Sequence, residues 1–108
     1  MEFQEILKFI KEEDVRMREH FYPHFDQEKV ILARAVKLSE EVGELSDEIL
    51  RSLNVQRKEK MDGHSHETLA KEVADVFMVT LLLAQSLDVD VQTIVKKKIQ
   101  EIENRYNK

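Results

Sequence analysis

The chain has no cysteine, one proline and two glycines among its 108 residues. Without cysteine there is no disulfide framework, no thiolate nucleophile and no cysteine-based zinc site. Glycine and proline together supply three residues, where average usage is roughly one residue in eight. A β-sandwich or barrel needs a turn every few residues, so this scarcity excludes one and leaves a few long helices. No apolar run approaches the roughly 18 residues of a membrane span. Met1-Glu2-Phe3-Gln4-Glu5 is not a basic signal-peptide start, so the expectation is a cytoplasmic protein with no membrane partner. A net charge of −5 argues against a dedicated nucleic-acid binder, which carries a basic face.

What is present suits a single all-α domain spanning residues 1–108, since the length is enough for one core and too short for two. Apolar residues recur at helical spacing in four stretches. The first runs from about Glu2 to His20 and carries Phe3, Ile6, Leu7, Ile10 and Met17, with Phe21 just beyond. Pro23 ends it, because the residue before a proline is driven out of the helical region. Asp26 suits the cap of a second helix reaching about Leu53. Residues 54 to 66 lack an apolar period, contain Gly63 and read as a loop. A third helix follows from about Glu67 to Leu87, and Asp90 caps a fourth from Val91 to about Tyr106. Lys11-Glu12-Glu13-Asp14 reads as a solvated face, as do Asp47, Glu48, Glu101 and Glu103.

The second helix carries an apolar stripe at Ile31, Ala35, Leu38, Val42, Leu45 and Ile49. The third carries one at Leu69, Val73, Val76, Thr80, Leu83 and Leu87. Alternating steps of three and four mark bundle seams, and a single connecting loop makes the two helices antiparallel neighbours.

Two pairs of carboxylates flank these seams. Glu41 and Glu44 each precede a seam position on the second helix, and Glu72 and Asp75 do so on the third. Their i, i+3 spacing puts each pair on one face, so pairing the helices brings four carboxylates together. Four like charges in a partly dry site are unfavourable unless protonated or bridged by a cation. Asp75 is the sharpest case, lying in a segment from Val73 to Ala84 that is apolar nearly all round. An ionised carboxylate there needs either a metal ion or a neighbouring Lys or Arg. No Glu stands three residues before a His, so the Glu-x-x-His pattern of bundle di-iron sites is missing. An all-carboxylate set selects a hard ion, Mg²⁺ or Mn²⁺. Mg²⁺ held in this way keeps water positions open and takes phosphate as a further ligand. The chemistry indicated is hydrolysis of a phosphate ester or anhydride by a metal-held water.

At these residues the chain resembles the MazG-type all-α nucleoside triphosphate pyrophosphohydrolases. The family motif is Glu-Glu-x-x-Glu, a spacer, then Glu-x-x-Asp. It stands here as Glu40-Glu41-x-x-Glu44, 27 intervening residues, then Glu72-x-x-Asp75. The resemblance covers roughly residues 28 to 106. It implies Mg²⁺-dependent hydrolysis of a nucleoside or deoxynucleoside triphosphate between the α and β phosphates, with Mn²⁺ as a substitute ion. The products would be the monophosphate and pyrophosphate, and the purpose nucleotide-pool housecleaning. By the same resemblance Glu41, Glu44, Glu72 and Asp75 are metal ligands, and Glu40 joins Glu41 in the catalytic set beside the attacking water. The family's closing basic helix, Lys-x-x-x-Asn-x-x-Arg, is matched by Lys98 and Arg105 as substrate contacts, with Ile102 in the Asn place. The related phosphoribosyl-ATP pyrophosphohydrolases carry a His shortly after the second motif, and Phe77-Met78-Val79-Thr80 offers none.

A reading of a different class is a non-catalytic helical regulatory or interaction protein whose acidic edge binds a metal or a partner. Other features carry less. His64-x-His66 lacks a third ligand, and Arg57, Lys58 and Lys60 form a basic loop that is either solvated or closes over a triphosphate. Phe21-Tyr22-Pro23-His24-Phe25 is an aromatic cluster suited to packing, to an oligomer contact or to stacking on a base. Phe77, Met78, Val79, Leu81, Leu82 and Leu83 point in nearly every direction from the third helix. A helix apolar all round is buried all round, and three other helices cover only part of it. The expected architecture is therefore a four-helix, bundle-like chain completed as a homodimer or homotetramer.

Overall fold

The computed structural model describes residues 1–53 and 65–107. Four helices follow one another: α1 (Phe3–His20), α2 (Gln27–Ser52), α3 (His66–Ser86) and α4 (Val91–Asn104), with no strand among the described residues. Local chemistry sets their ends. Asp26 accepts a hydrogen bond from the Lys29 backbone N–H at 2.9 Å, and Asp90 accepts one from that of Thr93 at 3.1 Å. Each satisfies a donor that the first helical turn leaves unpaired. Ser65 and Thr68 cap α3 reciprocally, which starts that helix at His66 rather than Glu67. At its far end Asp88 adopts φ 57°, and the Val89 N–H reaches back to the Ala84 carbonyl at 3.0 Å. This is a Schellman stop with aspartate in the left-handed position, which Asp tolerates better than most side chains. The stretch expected as a loop lies outside the described residues from 54 to 64, and Arg57, Lys58, Lys60 and His64 lie outside with it.

α3 is the central helix. α2 packs along it, and α1 packs on its C-terminal half. Ile10, only 2% exposed, meets Leu81 and Leu82 there, flanked by Ile6, Leu7, Met17 and Met78. Burying a side chain of this kind contributes about 1.5–3 kcal/mol.

α2 and α3 run antiparallel, as expected, but the face they share is polar at its centre. Gln27 donates to the Ser86 carbonyl, Arg34 to the Leu82 carbonyl, Glu41 lies beside Asp75, and Glu48 accepts from the Thr68 hydroxyl. These four α2 residues are seven apart. Three of them immediately precede expected seam positions, so α2 is rotated about its axis, by less than one residue's turn, from the orientation its apolar stripe predicts. Ile31, Leu38 and Leu45 remain half-buried at the flank, while Ala35, Val42 and Ile49 face outward, as do Val73 and Phe77 on α3. Two residues read as solvated are buried: Asp14 and Glu48 keep 9% and 5% of their exposure. Both fall on packed faces, and both have hydrogen-bonding partners there.

α4 lies along none of the other helices and buries no residue. Its Ile94, Val95, Ile99 and Ile102 are exposed. The radius of gyration of 17.0 Å exceeds the roughly 13 Å of a closed domain of this size. The bundle is open within one chain.

Candidate metal centre

Glu41 projects from the middle of α2, and Glu72 and Asp75 project from the first half of α3, where the antiparallel pairing brings them level. One carboxylate oxygen from each lies within 4.8 Å of the others. Glu41 is buried, Glu72 half-buried and Asp75 exposed. The exposure of Asp75 differs from the burial expected of a residue in a segment apolar nearly all round. Glu44 is exposed and stands outside the group of three, although its charge acts on Glu72. Three of the four expected carboxylates therefore converge.

The centre is electrostatically unsatisfied. Glu41 Oε2 and Glu72 Oε2 are fully buried and accept no hydrogen bond. Burial pushes the Glu72 carboxyl above its usual value, and the charges of Glu44, Asp75, Glu41 and Glu48 push it further. Among the described residues no Lys or Arg pairs with Glu72 or Asp75, so the cationic partner considered for Asp75 is not found there. Lys37, one turn before Glu41, donates to Glu41 Oε1 at 3.0 Å and lies 3.9 Å from Glu40 Oε2. That hydrogen bond and the Glu41 charge hold the Lys37 ammonium above its ordinary value. Glu40 itself is exposed on the rim.

Two buried carboxylate oxygens without donors, beside a third carboxylate open to solvent, fit a hard divalent cation. Such an ion takes oxygen ligands and supplies the charge that these groups lack. The family model described as the MazG nucleotide pyrophosphohydrolase domain matches residues 29–108. The chain belongs to this family. The matched region holds α2 from its third residue on, α3 and α4, and so every carboxylate of the centre, whereas α1 precedes it. No curated protein and no solved structure matches the chain. The domain is that of an all-α nucleotide pyrophosphohydrolase, a family typically dependent on a divalent metal.

The remaining residues expected at a MazG site are placed elsewhere. Lys98 lies on α4 and Arg105 caps its C-terminal end, both directed at Glu101, at 3.0 and 4.0 Å. Ile102 is exposed between them. Two neighbours of the centre were not expected there: Lys37 was given no role from the sequence, and Glu48 was taken for solvated surface. Lys37 is legible afterwards as the i−4 partner of Glu41. Glu48 continues the α2 polar face by two turns, and it accepts from Arg51 and from the Thr68 hydroxyl at 2.9 Å.

Proposed function

We propose that this MazG chain hydrolyses a nucleoside or deoxynucleoside triphosphate between the α and β phosphates, releasing the monophosphate and pyrophosphate. The observation that carries the reading is the convergence of Glu41, Glu72 and Asp75 with two buried oxygens lacking donors. These three residues would hold Mg²⁺, or Mn²⁺ in its place, with Glu44 completing the set from one turn along α2. When bound, the ion supplies positive charge to phosphate oxygens and eases deprotonation of a water. The chain's own contribution is positioning and proton handling. Glu41 and the α3 pair fix the ion between two packed helices, and the exposed Glu40 carboxylate beside them accepts the proton of the attacking water.

The reading treats residues 1–108 as one domain, since α1 supplies Ile10 to the core and Asp14 to Arg34. It includes a homodimer or homotetramer. The exposed Val42, Ile49, Val73 and Phe77, together with an α4 that buries none of its residues, support a second copy as the missing cover. Lys98 and Arg105 then serve as substrate contacts from a neighbouring copy. A cytoplasmic role in clearing unwanted nucleotides follows from the activity. The net charge of −5 argues against nucleic acid as the partner, and no helix among the described residues is long and apolar enough to cross a membrane.

A panel of nucleoside and deoxynucleoside triphosphates, assayed for pyrophosphate release with Mg²⁺ and again with EDTA, tests the activity. Phosphorus NMR should show monophosphate and pyrophosphate. Release of orthophosphate from the γ position overturns the cleavage site, and no turnover of any triphosphate favours the regulatory protein. Light scattering tests the assembly, and a monomer of 12.8 kDa with full activity refutes it.

A further inference from the structure

The acidic centre has a problem that its carboxylates cannot solve. Glu40, Glu41, Glu44, Glu72 and Asp75 outnumber the charge of one divalent ion, and a triphosphate brings further negative charge. A cation from the protein is needed beside them. Most cations of the described helices near this seam are committed elsewhere. Arg34 is enclosed between Asp14 and the Leu82 carbonyl, Arg51 holds Glu48, and Lys71 points to Glu67 at 3.6 Å. Lys37 differs. Its Nζ is 3.0 Å from Glu41 Oε1, its side chain is 52% exposed, and Glu41 is 8% exposed beneath it. The other oxygen of Glu41 is the buried one that accepts nothing. One carboxylate thus has a buried oxygen that lacks a donor and a second oxygen held by a half-exposed ammonium.

We propose that Lys37 is a polyphosphate-binding residue that occupies Glu41 while the site is empty and passes to a phosphate oxygen when the metal–triphosphate complex arrives. The proposal rests on the carboxylates binding a metal, as set out above. In the empty site the ammonium competes with a metal ion for Glu41. In the loaded site the phosphate offers it a stronger acceptor in reach of the same flexible stem, and Glu41 is released to the ion. Lys37 thereby makes the site prefer a metal already carrying a polyphosphate over the metal alone. A residue that only shaped the helix would affect both ligands in the same direction.

Lys37→Met keeps an unbranched side chain only one heavy atom shorter and removes its charge. Two titrations on the full chain distinguish the outcomes: Mn²⁺ alone, followed by electron paramagnetic resonance, and inorganic tripolyphosphate with Mn²⁺ in excess, followed by calorimetry. Tripolyphosphate has no base, so base preference does not enter. We expect Mn²⁺ alone to bind several-fold more tightly to the variant, and tripolyphosphate to bind about ten-fold more weakly, the loss of roughly one charge-assisted hydrogen bond. Lys37→Arg should restore most of the tripolyphosphate affinity. If both affinities fall together, or tripolyphosphate binds the variant as well as the parent, the proposal is overturned. If the parent chain binds no Mn²⁺, the metal centre itself fails, and that failure shows before any variant is made.

Discussion

Two buried polar clusters sit on the same face of α2, one at Arg34 and one at Glu41, seven residues apart. The first joins opposite charges. Asp14 accepts from Arg18 Nε at 2.9 Å and from Arg34 Nη1 at 2.6 Å, and Arg34 also donates to the Leu82 carbonyl at 3.2 Å. Burial alone would raise the Asp14 carboxyl, but the two guanidinium hydrogen bonds outweigh it and hold the group below its ordinary value. Arg34 Nε and Nη2 stay unpaired, yet the charge of the cluster is compensated. The second cluster joins like charges, and Glu72 is pushed the opposite way. The Arg34 cluster fastens α1 to α2 and α3 through opposite charges that the chain itself supplies. The Glu41 cluster gathers like charges, and among the described residues no Lys or Arg pairs with its Glu72 or Asp75. Burial of polar groups is common to both, and the sign of the neighbours separates a structural tie from a binding site.

The largest effect should come from breaking the acidic cluster's function. Glu72→Gln and Asp75→Asn should each lower triphosphate hydrolysis at least about a hundredfold, since a metal's charge stabilisation is worth several kcal/mol. The same variants should leave the metal-free fold as stable as the parent or more so, because each removes a repelling charge. Urea melts beside pyrophosphate assays measure both. A variant that hydrolyses normally but unfolds early would reverse the roles of the two clusters.

Arg34→Met should do the converse, removing a partner from a buried pair at a cost of about 3 kcal/mol. The urea midpoint should drop accordingly. A loss below about 1 kcal/mol would mean that Arg18 alone satisfies Asp14, and the tie would lose its structural standing.

This comparison was only half legible in the sequence. Two helix starts were readable because capping is local: Asp26 and Asp90 each act on a backbone N–H three residues on, whereas the Ser65 cap, inside a stretch read as loop, was missed. The acidic centre was readable because Glu-x-x-Glu and Glu-x-x-Asp stack on helix faces whatever lies opposite. Which face turns inward was not readable, since apolar and polar stripes one residue apart differ only by a rotation that packing decides. Asp14 and Glu48 were lost for that reason, each sitting in a charged stretch of its helix. Arg34 gave no sign either, because its partner Asp14 lies on another helix. The separation of Glu44 from the other three depends on side-chain reach between two helices, which no spacing along one helix reports.

A smaller effect should follow at Glu48, the next polar residue along the α2 face. Thr68→Val removes a hydroxyl that donates to Glu48 and also takes part in capping α3. The expected cost is about 1–2 kcal/mol, the range of a cap together with a buried hydrogen bond. Thr68→Ser keeps the hydroxyl and should recover most of it. Equal destabilisation by Ser and Val, read from thermal midpoints, would show that the methyl group and not the hydroxyl matters there.

The finest test of the comparison is acid titration of the metal-free protein, because the two clusters should respond with opposite signs. Asp14 has a folded value below its ordinary 3.8, so its contribution is present above that pH and is lost as the pH falls through the lower folded value. Glu72 has a folded value above its ordinary 4.5, so the folded state keeps its proton longer than the unfolded chain does. Its effect is a loss of stability as the pH rises from 4.5 through that higher value, while the carboxylate ionises among its neighbours. Lowering the pH from neutrality should therefore first raise the urea midpoint of the metal-free protein and then depress it. Mg²⁺ should remove the first rise, since a bound cation relieves the same repulsion that protonation relieves. Glu72→Gln should remove it without metal, because the group no longer ionises. A midpoint that only falls with acid, and is indifferent to Mg²⁺, would show that the like charges at Glu41, Glu72 and Asp75 cost the fold nothing, and the contrast between the clusters would collapse.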